Sequence, residues 1–233
     1  MYIINLHFVG IPVYISLINY CNIWAFIMLD RQQFLKKMAE IGHEPTTQQL
    51  EKCDHYAAKL AQWNERIKLI GPATKDHIYM RHILDSLQFL DNVPRGTIVD
   101  VGSGGGMPGV LWAIFLEQPI TLCERIGKKA AFLKTMVREL DLSSHCDVVS
   151  DDILNEKRRF DIITARAVTS ISDFLDLTEH CLAKDGQYLL MKGGRYNEEI
   201  ELATKKWSFD VELHNSLTED NAKLVILSNT QRR

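Results

Sequence analysis

The sequence predicts an α/β fold of the Rossmann-like type: a mostly parallel sheet, a terminal antiparallel hairpin and an N-terminal helical extension. Three observations carry this. The apolar run 98–101 leads straight into Gly102-Ser103-Gly104-Gly105-Gly106-Met107-Pro108-Gly109, the pattern of a strand, a tight glycine loop and a helix. From residue 96 onward, short apolar runs alternate with helical segments, which implies parallel strands covered by helices. The last two apolar runs, 209–213 and 224–227, are separated only by a polar loop, as in a hairpin.

Composition narrows the class. The chain has 233 residues, 46% hydrophobic and 24% charged, with a net charge of −3. That is an ordinary globular composition, so any nucleic-acid contact must use a local basic patch. Cys21, Cys53, Cys123, Cys146 and Cys181 form no C-x-x-C pair. An odd, scattered set argues against a disulfide framework and a zinc knuckle and fits a reducing, cytoplasmic setting. No metal site is expected.

Three segments are expected: an extension over 1–28, a helical subdomain over 29–95 and the alternating unit over 96–233. Residues 1–29 carry no Asp, Glu, Lys or Arg. The extension reads as dispensable or non-native, with ordinary composition beginning near Met28; a membrane anchor is the alternative, and a signal peptide is disfavoured. In 29–95, Phe34, Met38 and Ile41 fall at helical spacing. Thr46 and Gln49 have capping-box form, and a stripe from Leu50 through Cys53, Tyr56, Leu60, Trp63 and Ile67 to Ile70 predicts one long helix ended by Gly71-Pro72. Met80, Ile83, Leu84, Leu87 and Leu90 predict another. Asp85 stands four after Arg81, so the two read as a surface ion pair, or else Arg81 and His82 face the glycine loop and an anionic substrate.

In the alternating unit, strands are expected at 98–101, 120–123, 147–150, 160–166 and 187–191, the last entered through an Asp185-Gly186 turn. Pro108 suits a first helical turn, whose free N–H groups point at whatever lies in the loop. Glu124 closes the second strand, about 20 residues past the loop, where an acid can accept ribose hydroxyls or simply cap the next helix. Lys128, Lys129, Lys134 and Arg138 lie off the apolar face of that helix, either as a solvated surface or as a phosphate patch. Asp151-Asp152-Ile153 follows the third strand, Arg166 ends the fourth and Lys192 the fifth. Gly102 to Gly106, Glu124, Asp152, Arg166 and Lys192 therefore gather on the rim where such sheets bind ligands. Arg166 has a bland alternative, an ion pair with Asp161 or Asp152.

Gly104-x-Gly106-x-x-Gly109 satisfies the dinucleotide fingerprint, a weak match on its own. Asp100, two residues before the first glycine, disfavours a pyrophosphate and suits a ligand bearing an ammonium and a sulfonium. Asp100 has a second reading, as a holder of loop N–H groups. The sequence also resembles the RsmG (GidB) family of small-subunit ribosomal RNA guanine-N7 methyltransferases. The matching pieces are Trp63-Asn64 with Leu69, Arg81-His82-Ile83-Leu84-Asp85-Ser86, the loop from Asp100 to Gly109, Gly127-Lys128-Lys129, Phe132-Leu133, Ala165-Arg166-Ala167 and Lys192-Gly193. They span about residues 30 to 230 in order, and the chain departs from the usual family pattern at Gly105, Glu124 and Ala165.

The resemblance implies an S-adenosyl-L-methionine-dependent methyltransferase fold. It implies cofactor-binding roles for Gly102, Gly104, Met107, Glu124, Asp152, Ile153 and Arg166, with RNA facing Arg81, His82, Lys192 and Arg195. It implies methyl transfer to 16S rRNA, free or in the small ribosomal subunit; separately, a cytoplasmic monomer with no metal and no membrane association is expected. No catalytic acid or base is assigned. An NAD-dependent oxidoreductase and a catalytically silent RNA-binding or ribosome-assembly module are the alternatives.

Overall fold

The computed structural model describes residues 17–233, with side chains from residue 29. The expectations for 1–28 fall outside it, apart from a helical backbone over residues 17–28. Among the described residues no helix is long and apolar enough to cross a membrane.

Helix α1 (Leu17–Glu40) and helix α2 (Thr47–Asn64) open the structure. Thr46 and Gln49 cap α2 reciprocally: Thr46 Oγ1 accepts from the Gln49 amide at 3.2 Å, and Gln49 Oε1 accepts from the Thr46 amide at 2.9 Å. The helix ends at Asn64, earlier than the apolar stripe predicts. The Asn64 side-chain oxygen accepts from the amides of Leu69 and Ile70, both at 2.9 Å, so the chain folds back and Ile67 and Ile70 pack from a loop. The single helix expected around Met80 is also revised. A π-helical turn (Tyr79–Leu84) runs into the short α3 (Asp85–Leu87), and a 3₁₀ turn (Leu90–Asn92) follows. The wider π turn swings Arg81, His82 and Asp85 onto positions that a regular 3.6-residue helix would not give them.

The alternating unit follows as expected: β1 (Ile98–Val101), α4 (Gly109–Phe115), β2 (Ile120–Cys123), α5 (Gly127–Glu139), β3 (Cys146–Val149), β4 (Phe160–Arg166), α6 (Ile171–Thr178), β5 (Leu182–Lys192), α7 (Tyr196–Ala203), β6 (Trp207–Asn215) and β7 (Lys223–Arg232). The seven strands run in the order β3-β2-β1-β4-β5-β7-β6. The first five are parallel; β7 inserts antiparallel between β5 and β6. Periodicity does not reveal that order, because a hairpin can attach by either strand. The expected turn at Asp185-Gly186 is instead a bulge inside β5, where pairing shifts from Phe160–Leu182 to Ile162–Gln187.

Period-2 alternation builds two cores, one on each sheet face. Ile98, Leu122, Ile162 and Leu189 face α4, α5 and the N-terminal helices, joining Phe34, Tyr56, Leu60, Trp112 and Phe132 in one cluster. Val99, Ile163, Tyr188 and Val225 face α6 and α7 with Phe174 and Trp207. The helices of residues 29–95 thus share a core with the sheet, and they approach the glycine loop from one side.

Candidate functional site

At the C-terminal ends of β1, β2 and β4 lies a cavity of about 510 Å³, with Gly102, Glu124, Asp152, Ile153, Arg166 and Val168 in its wall. Four acids (Glu124, Asp151, Asp152 and Asp173) and three cations (Arg125, Lys129 and Arg166) border it, together with the exposed apolar side chains of Ile126 and Val168. Arg125 leans on Asp152 at 3.7 Å.

The loop is held by buried acids. Asp100 is fully buried, and its Oδ2 accepts from the Gly109 amide at 3.1 Å. Burial pushes its carboxyl up to about 7, against the Gly109 bond, Ser103 and Arg166, which favour the ion. Of its two readings, the structure displays the loop-holding one. Gly109 must be glycine here: a Cβ would lie 2.3 Å from Leu122 Cδ2 and 2.7 Å from Asp100 Oδ2. Glu124 is 4% exposed, and its two oxygens accept from Gly104 N at 2.9 Å and Ile126 N at 2.8 Å. A carboxylate has about four acceptor positions, so it can brace the loop and the start of α5 and still accept from a ligand hydroxyl.

This bracing takes up most of the amides that were expected to stay free at the loop. The N–H groups of Gly102 and Ser103 donate to Cys123 O, Gly106 to Ser103 O, Val110 to Gly106 O, Gly104 to Glu124 and Gly109 to Asp100. Pro108 is the N-cap, one residue outside α4. A pyrophosphate would find these donors taken and two carboxylates beside them, so the dinucleotide fingerprint is fulfilled in letters only.

Arg166 sits in the cavity wall, and its guanidinium is shared. It donates to Asp85 Oδ2 at 3.0 Å, His82 Nδ1 at 3.2 Å, Met107 Sδ at 2.9 Å and Arg81 O at 3.5 Å. Neither Asp161 nor Asp152 pairs with it. Asp161 instead accepts from Thr97. His82 is 6% exposed; with Nδ1 accepting from Arg166, its Nε2–H donates to Thr74 Oγ1 at 2.9 Å. Burial, then Arg166 and Arg81, hold His82 down at about 3, so it is neutral.

The expected site residues therefore divide. Gly102, Glu124, Asp152, Ile153 and Arg166 meet at the cavity. Met107 is buried behind it as an acceptor for Arg166, and Gly104 contributes its amide to Glu124 without lining the wall. Among the RNA-facing candidates, His82 is buried. Arg81 does not pair with Asp85 along the helix; it reaches the β6–β7 loop, donating to Thr218 O and Glu219 Oε2, both at 2.9 Å. Lys192 Nζ donates to Thr169 O and pairs with Glu199 at 2.8 Å. Arg195 is exposed at the start of α7.

Two supports escaped the sequence reading. Tyr56, counted among core positions, donates its buried hydroxyl to Gly105 O at 2.6 Å. Its one signal was a phenol in an otherwise apolar stripe. Asp85 finds its partners, Arg166 and Thr218, 81 and 133 residues away, and no local spacing announces them.

The family model described as "rRNA small subunit methyltransferase G" matches residues 49–226. A protein of Bradyrhizobium sp. (strain ORS 278) named "Ribosomal RNA small subunit methyltransferase G" is 35% identical over 205 residues, covering 84% of this chain and 92% of that protein. A Chromobacterium violaceum protein of the same name is 38% identical over 169 residues, covering 71% and 80%. A crystal structure of a methyltransferase from Geobacter sulfurreducens superposes with a TM-score of 0.52 at 16% identity, covering 74% of this chain and 87% of the other, a likeness of fold. By its sequence over most of its length, the chain belongs to the GidB family, rRNA small subunit methyltransferase G.

Proposed function

We propose that this protein transfers a methyl group from S-adenosyl-L-methionine to N7 of a guanine in 16S ribosomal RNA, alone or within the small subunit. The observation that carries the reading is the cavity at the strand ends. It is bordered by more acids than cations, and Arg166 is already compensated from outside by Asp85. That balance fits a ligand with two cationic groups, a ribose and a flat base, and disfavours a pyrophosphate. Glu124 would hold the ribose hydroxyls, Asp152 and Ile153 the adenine end, and Gly102 and Arg166 the amino-acid end. Met107 and Gly104 support those contacts from behind.

When bound, the cofactor supplies an electrophilic methyl group on a sulfonium. Guanine N7 offers an in-plane lone pair that carries no proton. The chain is therefore asked for position and charge balance, not for a general base. Its side chains agree with that demand: His82 is buried and neutral, Asp100 is fully enclosed and Asp85 is held in an ion pair. The product guanine is cationic, so uncompensated positive charge against the base would oppose the transfer. Arg195 and the basic face of α5 serve better as contacts to phosphate.

The test is transfer of labelled methyl to small subunits and to protein-free 16S rRNA, with N7-methylguanine mapped in cells with and without the gene. Loss of one N7 mark with the gene is expected. Saturable NADH binding without S-adenosylhomocysteine binding would overturn the reading in favour of an oxidoreductase. Binding without transfer to either substrate would favour a silent RNA-binding module.

A further inference from the structure

We propose that Asp85 is a positioning residue for the cofactor's charge state. It neutralises Arg166 at the cavity wall, so that the wall accepts the cationic sulfonium of S-adenosylmethionine as readily as the neutral thioether of S-adenosylhomocysteine. The inference rests on the cofactor reading above and adds to it a residue outside the cavity wall.

The geometry is specific. Arg166 borders the cavity, and its guanidinium has four partners. Only one of them, Asp85, is an anion. Met107 offers a sulfur, Arg81 a carbonyl and His82 a neutral ring nitrogen. The nearby Arg81 guanidinium does not change the balance, because Glu219 pairs with it at 2.9 Å. Asp85 and Arg166 are 21% and 20% exposed, so water screens the pair incompletely.

Asp85 is also fixed in place from its other oxygen. Oδ1 accepts from Thr218 Oγ1 at 2.6 Å and from Gln88 Nε2 at 3.1 Å. Thr218 lies on the β6–β7 loop, itself anchored where Gln88 Oε1 accepts from the Leu217 amide at 2.5 Å. The carboxylate is therefore clamped between the loop and the guanidinium, and its charge cannot swing away from Arg166. Removing it leaves the Arg166 guanidinium without an ionic partner and raises the charge there by one unit. The one-unit rise in local charge acts on a sulfonium and leaves a thioether nearly untouched. A contact that merely shaped the pocket would move both ligands together.

The experiment is calorimetric titration of the full-length protein with S-adenosylmethionine and, separately, S-adenosylhomocysteine, at low and at high salt. In Asp85→Asn, affinity for S-adenosylmethionine is expected to fall about tenfold more than affinity for S-adenosylhomocysteine, with the gap narrowing in salt. Arg166→Gln leaves the Asp85 carboxylate uncompensated. Whatever both affinities lose, their ratio is expected to move the opposite way, toward S-adenosylmethionine. Asp85→Glu is expected to keep the wild-type ratio. Opposite shifts in the two variants support the proposal; if Asp85→Asn does not fold, the ratio in Arg166→Gln decides. An unchanged ratio overturns the proposal and leaves the cofactor reading standing. Failure of the wild-type protein to bind either ligand overturns both.

Discussion

The glycine loop is held from two sides by two kinds of chemistry. On the sheet side, Asp100 and Glu124 receive loop amides within a span of about 25 residues, and the strands present them directly. On the helical side, Tyr56 grips Gly105 O, Ser86 O accepts from Trp112 Nε1 at 2.8 Å, and His82 and Asp85 engage Arg166. The sheet side uses buried carboxylates against backbone. The helical side uses side chains that the chain brings together over long separations. The difference implies that the sheet side sets whether a cavity exists, and the helical side sets how finely it discriminates.

The largest effect should come from breaking the sheet side. Gly109→Ala places a methyl against Leu122 and Asp100, closer than real Cβ contacts allow. Neither can retreat easily, since both are fully buried. Overpacking of this kind is expected to cost about 3 kcal/mol, read by urea unfolding, and to abolish S-adenosylhomocysteine binding at ligand concentrations that saturate the wild type. A variant that stays within ~1 kcal/mol of the wild type would show that the loop is softer than its contacts imply.

What was legible in the residues follows the same divide. Most strands and the rim that gathers Gly102, Glu124, Asp152 and Arg166 came from the alternation, a local property that burial enforces. Lys192, expected on the same rim, does not line the cavity, and β5 begins at Leu182, before the Asp185-Gly186 turn expected to precede it. The end of α2 did not. Asn64 captures two amides five and six residues later, a tertiary choice that the apolar stripe running on to Ile70 conceals. The π turn at Tyr79–Leu84 was equally hidden, since apolar spacing of three and four fits an α-helix as well. The fate of Arg81 shows the cost. An i,i+4 partner was available in Asp85, yet each residue found a better one across the fold. Asp100 was legible as an acid beside the loop, and only burial distinguishes its bracing role from ligand contact.

The two sides should also respond oppositely to pH. His82 sits at about 3, below the ordinary 6.5. The unfolded chain takes up a proton near 6.5 and the folded protein does not, so this contribution is complete above pH 6.5 and is lost as pH falls toward 3. Asp100 sits at about 7, above the ordinary 3.8. Its contribution is complete below about pH 4 and is lost as pH rises toward 7. His82→Gln should flatten the acid limb of a stability profile and Asp100→Asn the limb between pH 4 and 7, each by about 2 kcal/mol across its window after relaxation around the buried group. Parallel slopes in the two variants would contradict the assigned charge states.

A milder test touches the helical side alone. Tyr56→Phe leaves the buried Gly105 carbonyl without its phenol donor, at a cost of about 1 to 2 kcal/mol. Loop shape should suffer more than the fold. Affinity for S-adenosylhomocysteine should fall several-fold while the urea slope stays constant. Loss of stability with unchanged affinity would mean that Tyr56 serves the core and not the loop.

The smallest effect lies outermost, at the Arg81–Glu219 pair. Its side chains are 38% and 52% exposed, and a pair so open to water contributes about 0.5 kcal/mol or less. A double-mutant cycle with Arg81→Ala and Glu219→Gln should therefore return a stability coupling near that value. The Arg81 bond to Thr218 O at 2.9 Å lies outside the coupling, because both Glu219 forms retain that carbonyl. The consequence for RNA is sharper than the stability change. While Glu219 occupies its Nη2, Arg81 is compensated, and Glu219→Gln releases one cation on the side of the fold that carries the β6–β7 loop. If Arg81 meets phosphate, this substitution should tighten rRNA binding at low salt and steepen its salt dependence by up to about one unit of slope. If Arg81 only ties the loop to the π turn, binding should not change while methyl-transfer rates drift with loop order. The same substitution therefore separates an RNA contact from a strut, at a stability cost too small to confuse the two.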